Sequence, residues 1–248
     1  MNDARRVVAI TGAGGALGAA LSSQFAGEPH TDLVLSDVSE PSLEATMDGL
    51  PDRRGAVETL LADVSDFAQV EAVVGLAVER FGRLDVLISN AGVLAPNGRI
   101  HNLTTEDWEG SFRINLLGAV NGIRAAVSVM RAQRSGSIVL TASVAGLTAW
   151  SHAAPYCATK AAVIQLAKVA AVEYARDGVR VNCVCPGTFL SAIHAGLPSE
   201  AIDAIAAKHP LGMGSATDLV GAYSYLASDA SRWTTGSAIV VDGGYSAP

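Results

Sequence analysis

The chain has 248 residues, half of them apolar and 17% charged, and its 17 Lys and Arg set against 24 Asp and Glu leave a net charge of −7. That balance offers no general attraction to phosphate backbones, so nucleic acid is excluded as a partner, and the apolar share is too high for a disordered chain. The most apolar runs, such as Ala161 to Ala171, are interrupted by polar residues before the roughly 18 positions of a membrane span are reached, so no membrane is expected, and the length is that of one α/β domain spanning 1–248.

The opening residues run straight into Val7-Val8-Ala9-Ile10, which is too short for a secretory segment, and no cleavable leader is expected. From there short apolar runs alternate with longer helical patterns. Strands are expected at 6–11, 31–37, 56–62, 84–89, 136–142, 179–185 and 237–242. Helices are expected at 16–27, 40–49, 67–82, 105–133, 154–177 and 217–228. This alternation predicts a doubly wound α/β fold with a seven-stranded parallel sheet flanked by helices. Asp66, and Thr104 or Thr105, are suited to cap the helices that follow, since their oxygens accept from free first-turn amides. The acidic run from Glu40 to Asp52 reads as a solvated helix face. From Pro186 to Gly214 the alternation breaks, leaving one weak helical patch at Ser199 to Lys208, and a segment of this length reads as a substrate loop.

Three cysteines, Cys157, Cys183 and Cys185, form no closed disulfide set and no four-ligand zinc site, which fits a reduced, cytoplasmic setting. Cys183 and Cys185 alternate on one strand and read as buried thiols on a shared face. His30, His101, His194 and His209 lack metal-ligand spacing and read as solvated, so no metal is expected.

After the first strand comes Thr11-Gly12-Ala13-Gly14-Gly15-Ala16-Leu17-Gly18, leading directly into a helix. Small residues here let backbone amides and a helix N-terminus approach a pyrophosphate. The second strand ends in Asp37, 19 residues beyond Gly18, where a carboxylate accepts from an adenosine ribose diol or, alternatively, caps the following helix. No Lys or Arg lies between Gly12 and Gly18 or just after Asp37 to attract a 2′-phosphate, so NAD is favoured over NADP. Tyr156 and Lys160 share a helical face at i and i+4. A cation beside a phenol favours the phenolate, a proton acceptor that removing an alcohol proton requires. The alternative is a surface pair in which the lysine stem covers the ring.

These motifs closely resemble the short-chain dehydrogenase/reductase family from the first strand to the last. The glycine turn matches that family's Thr-Gly-x-x-x-[Ala/Gly]-x-Gly, and Tyr156 with Lys160 matches its Tyr-x-x-x-Lys. Ser143, 13 residues before Tyr156, matches the catalytic serine, and Asn115 in Ile114-Asn115-Leu116 matches the catalytic asparagine. Asn90-Ala91-Gly92 resembles the turn after strand four, Asp63-Val64 the adenine-contacting pair, and Pro186-Gly187 the nicotinamide-side turn, with Val38 and Thr188 adjoining the cofactor positions. The departures are Ser89 for a second asparagine, Ser191 for a threonine and Met213 for a frequent arginine.

The resemblance implies a Rossmann fold and an NAD-dependent enzyme interconverting a secondary alcohol and a ketone. Tyr156 would take the hydroxyl proton, Lys160 would lower its pKa and hold the nicotinamide ribose, Ser143 would fix the substrate oxygen, and Asn115 would anchor a water relay. It also implies a homotetramer, formed by pairing helices 105–133 and 154–177. A catalytically silent NAD-sensing protein is the alternative function, and a longer sugar-nucleotide epimerase or dehydratase fits less well because its glycines are spaced differently. Trp150 and His152 stand where they could face substrate. Phe189, Leu190, Ile193, Leu197, Ile202 and Ile205, with Lys208 the sole full cation of that segment, favour an uncharged, fairly apolar alcohol or ketone of alicyclic, aryl or dihydrodiol type.

Overall fold

The computed structural model of the protein describes residues 5–94, 96–191 and 198–247. Seven strands form one parallel sheet in the order β3-β2-β1-β4-β5-β6-β7. They are β1 (Arg6–Thr11), β2 (Thr31–Asp37), β3 (Val57–Leu61), β4 (Val86–Ser89), β5 (Gly136–Thr141), β6 (Val179–Pro186) and β7 (Ala238–Val241). Every pairing is parallel, with Thr11 opposite both Ser36 and Ser89, and Ser89 opposite Leu140. The carboxyl ends therefore finish level. Between β1 and β4 the winding reverses, and the loops leaving these two strands diverge to open a crevice.

Strands such as Val7 to Ile10 are apolar on both faces because helices cover both sides of the sheet. One core lies against α3 (Phe67–Phe81), α5 (Gly118–Gln133) and α6 (Ala154–Tyr174). The other lies against α1 (Ala16–Gly27), α2 (Glu40–Asp48) and α8 (Ala216–Leu226). Cys183 and Cys185 are free thiols sharing the first core, as their alternation predicts. Asp66 caps α3 through the Ala68 amide, and Thr104 caps α4 (Thr105–Ser111) in a reciprocal box with Asp107. In α2 only Leu43 and Thr46 are buried, so the acidic run does present a solvated face.

The structure departs from the sequence expectation in identifiable places. The helix expected over 105–133 is interrupted by a π turn at Phe112–Leu117, so α4 and α5 are separated by one widened turn. A single extra residue in a turn is invisible to hydrophobic periodicity. The helix expected to reach 177 tightens into a 3-10 turn over Ala175–Asp177, and Gly178 then turns into β6 at positive φ. In the late segment the weak patch folds as α7 (Ser199–Ala206), while Ile193, His194 and Leu197 lie outside the described residues. No helix of the described residues is long and apolar enough to cross a membrane.

After β5 a short turn, Val144–Gly146, packs against α6. A Cβ on Gly146 would stand 2.7 Å from the carbonyl carbon of Lys160 and 2.8 Å from the amide of Ala161. Gly146→Ala should therefore push α6 off the sheet end and destabilise the protein by about 1–3 kcal/mol, read as a lower urea midpoint. An unchanged midpoint would mean that this close approach does not constrain α6.

Candidate active site

A cavity of about 630 Å³ opens at the carboxyl ends of the strands, at the winding reversal. All the expected cofactor-side positions border it: Gly12, Gly14, Gly15, Ala16, Leu17 and Gly18 from the first turn, Asp37 and Val38, Asp63 and Val64, Asn90 to Gly92, and Pro186 to Thr188. Ser143, Tyr156 and Lys160 border it too, whereas Asn115 stands behind its wall.

The first turn is shaped by close packing. Gly12 has φ +66°, and a Cβ on Gly18 would lie 2.0 Å from the Gly12 carbonyl oxygen. Gly15 caps α1 with no side chain, which leaves the first amides of the helix without an intrahelical partner and facing a cavity bordered by Ala16, Leu17 and Gly18. Such an N-terminus is an anion cradle, and the residues present fit the diphosphate of a dinucleotide. Asp37 accepts from the Gly14 amide at 2.8 Å and from the Ser39 amide at 3.0 Å. It does not cap α2, because Ser39 does so by accepting from Ser42. The capping alternative for Asp37 is thereby removed. Asn121 donates to the Val64 carbonyl at 2.9 Å and fixes the cavity wall at Asp63 and Val64.

Asn90 joins the turns after β1, β4 and β5. Its amide group donates to the Gly12 carbonyl at 3.0 Å and accepts from the Thr141 hydroxyl at 3.2 Å, while its backbone N–H donates to the Thr11 hydroxyl. Asn115, turned inward by the π turn, accepts from the Val93 N–H at 2.8 Å and donates to the Val93 carbonyl at 2.9 Å. Its NH₂ also reaches Ser111 and Thr159, each at 3.3 Å. The side chain expected to anchor a water relay is thus engaged as a staple between the β4 loop and α6.

Ser143 follows β5 with an extended backbone, and its hydroxyl accepts from the Ala145 N–H at 3.1 Å. Lys160 is 3% exposed and donates to the Thr141 carbonyl at 2.8 Å, with its ammonium 5.7 Å from the centre of the Tyr156 ring. The pair is therefore a site pair rather than a surface one. Burial draws Lys160 down from 10.5 to about 8. Burial also pushes the Tyr156 phenol up, opposed by its hydrogen bond with Ser143. The spacing alone suggests a lowered phenol; in the folded chain desolvation is the largest influence on it and the Ser143 hydrogen bond the one that lowers it.

The turn after β6 is held by the Gly187 N–H on the Val241 carbonyl at 2.9 Å and by the Thr188 N–H on His209 Nε2 at 3.1 Å. His209 is 4% exposed, which corrects its reading as solvated: Nδ1 bonds the Ile205 carbonyl at 3.0 Å, and the ring packs against Tyr245. The residue sits after a helix that folds back over the turn, and no metal spacing signals that. His30 and His101 are exposed. Trp150 borders the cavity and stacks on Tyr156 at 6.1 Å between ring centres, but His152 does not border it. Of the late segment's apolar side chains that are described, only Phe189 borders the cavity; Leu190, Ile202 and Ile205 do not. Val93, Leu94 and Ile114 supply apolar wall that the sequence reading missed, as did Thr141, whose contribution is a carbonyl and so leaves no side-chain signal.

Residues 12–246 match a protein family described as enoyl-(acyl carrier protein) reductase. The cis-4-hydroxycyclohexanecarboxylate dehydrogenase of Sinomonas cyclohexanicum is 36% identical over 98% of this chain and 98% of its own. The levodione reductase of Leifsonia aquatica is 35% identical over 98% of this chain and 94% of its own. A crystal structure of levodione reductase superposes with a TM-score of 0.89 at 34% identity, covering 98% of each chain.

The lysine's burial is open to a direct check. Between pH 8 and 10.5 the unfolded chain keeps the Lys160 proton that the folded chain releases, so stability rises with pH across that window. Relative to Lys160→Met, the cofactor-free protein should gain on the order of 3 kcal/mol in urea unfolding between neutral pH and the top of the window. A gap that does not change with pH would mean that the ammonium is solvated.

Proposed function

The chain belongs to the short-chain dehydrogenase/reductase family, and from that premise we propose that it is an NAD-dependent dehydrogenase interconverting a secondary alcohol on an alicyclic ring and the corresponding ketone. The observation that carries the reading is the placement of Tyr156, Lys160 and Ser143 on one wall of a cavity whose other end is an uncapped helix N-terminus beside Asp37. One relative adds a ring, being a cis-4-hydroxycyclohexanecarboxylate dehydrogenase. Val93, Leu94, Ile114, Trp150 and Phe189 supply apolar surface suited to such a ring.

A nicotinamide cofactor, when bound, supplies the hydride acceptor. Ser143 holds the substrate oxygen by hydrogen bonding, and the phenolate oxygen of Tyr156 takes the hydroxyl proton as the carbinol carbon gives up its hydride. Lys160 stabilises the negative phenolate and has donors beyond the one used by Thr141 to hold ribose hydroxyls. Pro186, Gly187 and Thr188 close the nicotinamide side, within a substrate loop spanning 186–214. Asp37 accepts from the adenosine ribose and repels a 2′-phosphate. Apolar side chains exposed on α6, Val169 and Val172, are in keeping with pairing of this helix across subunits of a homotetramer. A silent NAD-sensing protein would have no need of the three groups on the reacting wall.

Because burial holds the Tyr156 phenol up, alcohol oxidation should quicken as pH rises into the alkaline range, where more phenolate is present. Tyr156→Phe should cut kcat by at least about a hundredfold and flatten that pH dependence while cofactor affinity is retained. Activity within tenfold of the parent would remove Tyr156 from the chemistry.

Cofactor preference tests Asp37 separately. A charge-assisted bond of about 1.5–3 kcal/mol to the ribose, together with repulsion of the phosphate, should give NAD at least about a hundredfold advantage in kcat/KM, and Asp37→Ala should narrow it by about tenfold or more. An unaltered ratio would show that Asp37 does not meet the ribose.

A further inference from the structure

A second cleft, about 500 Å³, lies beside the first, and Trp150 borders both. Its polar lining comes from Arg99, His101, Ser151 and His152. Arg99, His101 and His152 bring three basic side chains to this cleft in a chain whose net charge is −7. Among the described residues Arg99 enters no ion pair, so its guanidinium is not already committed to a carboxylate of this chain.

The cleft is fixed relative to the reacting groups. The Gly98 N–H donates to the His152 carbonyl at 2.9 Å, and Gly98 pairs with Ala153 as an isolated bridge one residue before α6, which carries Tyr156. His152 is held at φ +69°, a left-handed conformation costly for a residue with a side chain, and its Nδ1 bonds the Ser151 hydroxyl at 2.8 Å. That leaves Nε2 without a partner among the described residues. The Trp150 indole N–H is shut off from solvent and meets no acceptor among the described residues, so Trp150 offers the cleft its ring and not its N–H.

We propose that this cleft is an anion subsite, and that the substrate is an alicyclic hydroxy acid whose carboxylate docks there while its carbinol carbon lies at Tyr156. This rests on the reading of Tyr156 as the group acting on a cyclic alcohol and adds the far end of the molecule. The planar guanidinium of Arg99 matches a carboxylate through two parallel hydrogen bonds, and the imidazoles of His101 and His152 are further donors around it. The apolar ring of the acid lies against the Trp150 ring between the two clefts. The expectation of an uncharged substrate came from the late segment, of whose described apolar side chains only Phe189 borders the first cavity.

The test compares cis-4-hydroxycyclohexanecarboxylate with cis-4-methylcyclohexanol, each with NAD and the full-length protein, following reduced cofactor. The parent should favour the acid in kcat/KM by at least about tenfold, and added salt should erode the preference. Arg99→Ala should raise KM for the acid and lower the acid-to-neutral ratio by about tenfold with little change in kcat for the acid, and Arg99→Lys should restore part of the ratio as a point charge without the fork. Turnover of the neutral alcohol at least as good as that of the acid, or an Arg99→Ala variant that keeps the parent's ratio, overturns the subsite and leaves the role of Tyr156 standing. No turnover of either alcohol with NAD or NADP overturns both.

Discussion

The side-chain amide of Asn115 is where three chain segments meet. It pairs with both backbone groups of Val93 in the β4 loop, sits in the π turn, and reaches Thr159 on α6. Asn115 is buried, and its bonds to Ser111 and Thr159 are made out of reach of water, while those to Val93 tie the exposed β4 loop to that interior. The consequence is crowding. A Cβ on Gly92 would lie 3.1 Å from the Asn115 oxygen and 3.3 Å from the Lys160 nitrogen, so a side chain there would crowd the amide and the ammonium together. The junction thus lies beside the buried Lys160 of the reacting wall.

Taking an ammonium and a phenol out of water at the same place moves their proton affinities apart from their solution values in opposite directions: the lysine falls to about 8 and the tyrosine rises. Each shift disfavours the charged form that proton abstraction needs. The wall is thus arranged in position before it is arranged in charge. The groups that offset this are local and weak on their own, the Thr141 carbonyl for Lys160 and the Ser143 side chain for Tyr156. Trp150 extends the arrangement outward, stacked on Tyr156 and set edge-on to Tyr245, so that the wall of the reacting cleft is continuous with the C-terminal turn and with His209.

Much of this was legible in the sequence because it depends on period and punctuation. The runs Val7 to Ile10 and Leu33 to Leu35 announced strands buried on both faces, Gly12 to Gly18 announced the turn, and the i, i+4 spacing of Tyr156 and Lys160 placed both on one helical face. What escaped notice depended on distance rather than on order. The π turn at Phe112–Leu117 adds one residue to a helical turn without altering its composition, and it is what turns Asn115 inward. His209 was misjudged because its two partners, Thr188 and Ile205, are backbone groups brought to it by the fold of α7. The desolvation of Tyr156 was not legible because spacing along a helix says nothing about how much water remains. Arg99 carries no motif at all and gains meaning only from the cleft it shares with Trp150.

The central claim is that this cavity carries a hydride from a carbinol carbon to a nicotinamide while Tyr156 takes the oxygen-bound proton. The most direct measurement uses a cyclic alcohol deuterated at the carbinol carbon, incubated with NAD and the purified protein, with mass spectrometry of the products. The account predicts one deuterium in the reduced nicotinamide for each ketone formed, and none released to water. Deuterium appearing in water, or ketone formed without labelled reduced cofactor, would contradict it.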